Sequence, residues 1–93
     1  MYVAVVRLEL HLPHAASLKD KRAVLNRLKD RLRATQAAVS EVDHADLWQR
    51  ASLGMAVVSG SAGHLSDVLA SLRNIVERQE QIVVLDWQVE HYE

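Results

Sequence analysis

The chain has no cysteine and no phenylalanine, a single proline, three glycines and only four Trp or Tyr rings among its 93 residues. The missing thiols exclude a disulfide scaffold, a thiolate zinc site and a cysteine nucleophile. No apolar stretch approaches the roughly 18 residues that a membrane helix needs. The opening Met1-Tyr2-Val3-Ala4-Val5-Val6-Arg7 has no basic leader, so no secretory signal is expected and the cytoplasm is the expected compartment. Neither sign of charge dominates, with eleven Lys and Arg against twelve Asp and Glu and a net charge of -1. Pro13, Gly54, Gly60 and Gly63 are too few and too scattered to make a linker, so residues 1–93 are expected to form one domain. Apolar residues are plentiful, at 49%, enough to bury a core and to argue against disorder.

Those apolar residues follow two spacings. Tyr2, Ala4, Val6, Leu8, Leu10 and Leu12 alternate with positions that end in Arg7, Glu9 and His11. Period two predicts a strand with one face in the core, and Val3 and Val5 mark it as central. Ser17 is an N-cap residue type, followed by Asp20 in the first turn of a helix. Leu18, Val24, Leu25, Leu28 and Leu32 form that helix's apolar stripe, which runs to about Thr35. Ala37 to Asp43 reads as a second strand, Asp43 to Asp46 as a turn, and Leu47 to Ser59 as a third strand. After Gly60-Ser61-Ala62-Gly63, the residues Leu65, Val68, Leu69, Leu72, Ile75 and Val76 stripe a second helix. The last strand spans Ile82 to Tyr92, with Val83, Leu85, Trp87 and Val89 expected on one face. Strand, helix, strand, strand, helix, strand with right-handed crossovers predicts an α+β, ferredoxin-like βαββαβ split sandwich. Its four-stranded antiparallel sheet has the expected order 4-1-3-2, with two helices on one face.

Three stretches carry a family pattern. They are Ser17-Leu18-Lys19-Asp20-Lys21-Arg22 with Val24-Leu25, then Ser40-Glu41-Val42-Asp43, then Asp46-Leu47-Trp48-Gln49-Arg50-Ala51 with Leu53-Gly54. Together they resemble the DUF503, or YlxP-like, family of small bacterial proteins over nearly the whole chain. Thr35 departs from that pattern, which commonly has an aromatic residue before the second strand. The resemblance implies a ferredoxin-like fold, a gene neighbourhood of translation-initiation and ribosome-maturation factors, and no established catalytic activity.

The basic helix is the first candidate site. Residues 17–33 hold Lys19, Lys21, Arg22, Arg27, Lys29, Arg31 and Arg33 against Asp20 and Asp30, a local charge of +5 that leaves -6 for the rest. Such a dipolar surface steers polyanions, so these seven side chains are the expected phosphate contacts to ribosomal RNA or a ribosomal subunit. A solvated face that only keeps the chain soluble is the plainer alternative. The second candidate is an anion site of Ser17, Ser61, Gly63 and His64, if both helices begin at one end of the sheet. Helix capping explains the same serines.

The third candidate is a stacking or partner surface on the open sheet face, made of Val3, Val5, Trp48 and Arg50. It suits a protein partner, such as a second subunit in a homodimer, better than RNA, because a second stacking platform is missing. His44 is expected at the opposite end of the sheet from His11 and His14, sharing its end with His91. No histidine pair has metal-site spacing, and no metal or cofactor is expected. Ser17, Ser40, Ser52 and Ser59 lack a nucleophile-elbow context, so the chain is not expected to be an enzyme. A small-molecule or anion sensor remains a further alternative, by analogy of fold.

Overall fold

The computed structural model describes residues 1–93. The elements are β1 (Tyr2–His11), α1 (Leu18–Ala34), β2 (Ala38–Asp43), β3 (Arg50–Ser59), α2 (Ala62–Glu77) and β4 (Val83–Tyr92). The strands form one sheet in the order β2-β3-β1-β4, and every neighbouring pair is antiparallel. This is the ferredoxin-like arrangement that the order of elements predicts.

The core lies between the sheet and the two helices. Ala4, Val6, Leu8, Leu10 and Leu12 of β1 and its continuation meet Ala51, Leu53, Met55 and Val57 of β3. Leu25, Leu28 and Leu32 of α1 and Leu65, Val68, Leu72 and Val76 of α2 close over them. Each buried set keeps the period of its own element, so one face of the sheet and one stripe of each helix leave water together.

α1 ends in a Schellman turn. Ala37 N–H donates to Leu32 O and Gln36 N–H to Arg33 O, with Gln36 in the left-handed region at φ 67°. Ala37 is buried in the same apolar core as Leu32, and the pair occupies the two positions whose apolar contact commonly accompanies this turn.

Four sequence expectations need correction. The third strand starts at Arg50, not Leu47. The chain leaves the ladder at Asp43, whose carboxylate accepts from His44 N–H, and turns through His44 at φ 62°. Trp48 therefore lies in the β2–β3 loop and not on the sheet.

The alternation in β4 breaks at Leu85. Glu9 pairs with Asp86 but Leu10 pairs with Val84, so Leu85 is bulged out. Val84 consequently joins Trp87 and Val89 on the core side, while Val83 and Leu85 are exposed.

The helices do not start at the same end. β1 and β3 pair Tyr2 with Ser59 and His11 with Arg50, so α1 begins beyond the His11 end and α2 beyond the Tyr2 end. A hydrogen bond between His64 Nε2 and Gln36 Oε1 at 2.9 Å ties the start of α2 to the end of α1. The same register puts His44 at the His11 end, and His91, which pairs with Ala4, at the other.

Candidate functional site

α1 is capped by its own side chains. Ser17 Oγ accepts from Asp20 N–H at 3.0 Å, and Asp20 Oδ2 accepts from Ala16 N–H at 3.1 Å. Ser61 caps α2 in the same way, accepting from His64 N–H at 3.3 Å. The expected anion site is thus split: Ser17 lies at one end of the sheet, and Ser61, Gly63 and His64 at the other.

The seven cations of α1 divide into three groups. Lys19, Arg22, Lys29 and Arg31 have no carboxylate within ion-pair distance. Arg27 donates to Gln81 Oε1 at 3.1 Å, and Arg33 donates to Val39 O at 3.3 Å and faces Asp30 at 3.7 Å. Lys21 is a correction to the sequence reading, because its side chain is only 1% exposed. Its ammonium donates to His44 O at 2.6 Å and lies 2.8 Å from Glu41 Oε2. Lys21 pins α1 to the end of β2 and is not available to a phosphate.

The ends of β1 and β2, the start of α1 and the β2–β3 loop are bolted together around Gln49. Its carbonyl accepts from Leu12 N–H at 2.9 Å and lies 3.0 Å from His11 Nδ1. Its amide Nε2 donates to Pro13 O at 3.3 Å and Ala15 O at 3.2 Å. On the other side of Trp48, Leu47 N–H donates to His44 O at 3.1 Å, the carbonyl that Lys21 also holds. Trp48, with 53% of its surface exposed, is therefore held from both sides. Asp46 is the one carboxylate of this loop without an ion pair.

The open face of the sheet reads in rows across β2, β3, β1 and β4. They are Val58–Val3–Tyr92, Ala38–Ala56–Val5–Glu90, Ser40–Gly54–Arg7–Gln88, Asp43–Ser52–Glu9–Asp86 and Arg50–His11–Val83. The rows at the Tyr2 end are apolar and those at the His11 end are charged. Glu9 sits at the centre of the charged end. Ser52 Oγ donates to its Oε2, Arg7 Nε to its Oε1 at 2.9 Å, and Arg50 approaches at 3.8 Å. Burial pushes the Glu9 carboxyl up, but the Ser52 and Arg7 hydrogen bonds, Arg7's charge and that of His44 outweigh it and hold the carboxyl below its usual range. Arg7 also reaches Asp43 at 3.8 Å. Val42 folds over Gly54, where an added Cβ would meet its methyl at 3.0 Å.

Four carboxylates (Glu9, Asp43, Asp86 and Glu90) thus share the open face with two guanidiniums, Arg7 and Arg50. That balance does not attract a polyanion, and the expected face separates: Val3, Val5 and Arg50 lie on it, whereas Trp48 does not.

The most enclosed hollow, about 210 Å3, lies between Leu12, His14, Asp20, Val24, Arg27 and Gln81. It falls short of the ~300 Å3 at which ligand pockets usually begin. No group of three His, Asp or Glu side chains is arranged to hold a metal. No helix is long and apolar enough to cross a membrane.

Residues 3–89 match the sequence profile of the family described as "Protein of unknown function (DUF503)". The chain belongs to the DUF503 family. This DUF503 chain is 38% identical to "Uncharacterized protein YlxP" of Bacillus subtilis (strain 168), with 78% of this chain and 85% of that protein covered. Solved structures share its fold at low identity. A de novo design with a ferredoxin fold superposes with a TM-score of 0.54 at 13% identity over 99% of this chain and 84% of the design. The de novo design Foldit4 gives a TM-score of 0.54 at 8% identity over 100% of this chain and 98% of its own. A VAO-type flavoprotein from Myceliophthora thermophila C1 gives 0.59 at 14% identity; the match covers 98% of the DUF503 chain but only 18% of the flavoprotein.

The three stretches that carry the family pattern meet at one place in the DUF503 chain. Residues 17–22 start α1, residues 40–43 end β2 and residues 46–51 lead into β3. Lys21 joins the first to the second through Glu41 and the His44 carbonyl, and Gln49 ties the third to the Leu12–Ala15 segment that leads into α1. Reading the sequence for exposed chemistry overlooked Glu9, Glu41, Gln49 and Ser52. Parity was the available signal for Glu41, which shares the inward face of β2 with Val39, and for the burial of Lys21, which precedes Leu25 by four and Leu28 by seven positions.

Proposed function

We propose that this chain is a non-enzymatic cytoplasmic accessory protein of translation or ribosome maturation that holds RNA through α1. One observation carries the reading: Lys19, Arg22, Lys29 and Arg31 stand on one surface helix with no carboxylate partner, on a chain of net charge -1. Charges left unpaired in this way are free to release phosphate counterions. The carboxylates of the open face turn a polyanion toward the helix side. The translation-factor neighbourhood implied by the family resemblance supports ribosomal RNA or a ribosomal subunit as the partner.

The test is binding to ribosomal RNA and ribosomal subunits at two salt concentrations. Four phosphate contacts to single-stranded RNA give a log–log slope of about -3, so affinity falls about 50-fold between roughly 50 and 200 mM salt. Changing Lys19, Arg22 and Lys29 together to Glu removes the binding while the fold stays intact. Absence of binding by the unaltered protein at the lower salt refutes the reading.

A second reading is favoured by the rigid exposure of Trp48. Such a tryptophan is a hot-spot anchor for a partner protein. On that reading affinity depends on Trp48 and barely on salt, and Trp48→Ala removes it.

A further inference from the structure

The left-handed turn at His44 takes Trp48 off the sheet and sets it beside the start of α1. Its two chain neighbours fix it there. Gln49 is bonded to Ala15 O, and Leu47 N–H shares the His44 carbonyl with the Lys21 ammonium. Trp48 lines a shallow hollow of about 410 Å3 together with Asp46, Leu47, Gln49 and Arg50. We infer that this hollow receives an unpaired base of the RNA held by α1, stacked on the Trp48 indole. The inference rests on α1 being the RNA-binding helix, and adds that the RNA is unpaired where it passes the start of that helix.

Three observations point to a base. The first is where the cations lie. At about 100° per residue, Lys19, Arg22 and Lys29 fall within about 80° of one another around α1. Arg33 is on the same flank and donates to Val39 O, so the flank runs along β2. Lys19 and Arg22 stand at the end of the molecule that also holds Trp48, and Lys29 follows about 15 Å further along the helix. A strand whose phosphates follow this flank passes Trp48 as it leaves the helix start.

The second observation is the chemistry of the hollow. Asp46 has no ion pair. Its charge keeps phosphate out of the hollow, and its oxygens accept from the amino group of a base. An apolar anchor from a partner protein would strip water from that carboxylate and return no hydrogen bond.

The third observation is rigidity. Trp48 is 53% exposed yet bonded in place on both sides, so stacking on it costs little ordering entropy. A single ring takes a single base. Tyr2 and Tyr92 lie at the far end of the sheet, and Trp87 packs on the core.

Binding of the full chain to a single-stranded RNA of about ten nucleotides, within the usual site size, tests the inference. Indole emission should be quenched on saturation, and in Trp48→Ala the remaining Trp87 emission should not change. A fully paired duplex of the same sequence, whose bases are not free, should leave the emission of the unaltered protein unchanged. Trp48→Ala should bind the single strand roughly 10- to 100-fold more weakly. Its salt slope should stay the same, because a stacked base releases no counterions. Trp48→Phe should restore part of the affinity. Both variants should keep the far-UV circular dichroism of the original, because the ring lies outside the core. A Trp48→Ala variant that binds the single strand as tightly as the unaltered protein overturns the inference; α1 then stays the RNA helix and Trp48 falls to a partner protein. A weaker affinity with a shallower slope overturns it too, because Trp48 would then be holding the α1 cations in place and not a base. Absence of any RNA binding by the unaltered protein refutes the α1 reading itself, and the inference with it.

Discussion

Lys21 and Glu41 allow a quantitative test of how the family-patterned end of the molecule is held. The Lys21 side chain is 1% exposed and the Glu41 side chain 23%. Lys21→Met keeps most of the packed hydrocarbon but removes the charge, leaving Glu41 facing an apolar wall and the His44 carbonyl without its ammonium donor. Breaking a buried pair from one side costs about 3–5 kcal/mol, and because Glu41 keeps some water the expected loss is the lower figure, about 3 kcal/mol. For a domain of this length each kcal/mol moves the melting temperature by about 4–8 °C, so the midpoint should fall by about 12–24 °C. Glu41→Leu alone strands the ammonium and should cost at least as much. The double variant Lys21→Met, Glu41→Leu replaces the pair by hydrocarbon and should return to within about 1 kcal/mol of the original. Urea unfolding followed by circular dichroism gives all four free energies. A double variant whose loss equals the sum of the two single losses would refute the pairing, because coupled charges cannot behave additively. A Lys21→Met loss under about 1 kcal/mol would show that the ammonium reaches water.

Two further predictions rest on single residues. Glu9 has its carboxyl held below its ordinary value of 4.5 in the folded chain, so the stability it confers is complete above that value and is lost as pH falls through the lower folded-state value. Acid unfolding curves should show a shallower decline for Glu9→Gln, and an identical decline would remove Glu9 from the account. Gln36 occupies a left-handed position that glycine adopts without strain. Gln36→Gly should relieve about 1 kcal/mol of backbone strain. It forfeits about 0.5 kcal/mol for the exposed bond to His64. The variant should therefore melt slightly higher, and a lower midpoint contradicts the capping argument.

The fold was legible because each element announces its period over enough residues. Ten alternating positions in β1 and the leucine stripe of α1 leave few alternatives, and the element order then selects the sheet order. What escaped were events of one residue. The bulges at Val42 and Leu85 each add a residue to one strand, which no two-residue period can reveal, and each shifts the rest of its strand to the other face. The left-handed turn at His44 ended β2 and removed Trp48 from the sheet. Lys21 was misread for a different reason: counting charges along α1 took no account of its position on the leucine stripe. A long side chain at a core position can carry its charge through the apolar layer to a buried partner. Glu41, on the inward face of the neighbouring strand, was that partner.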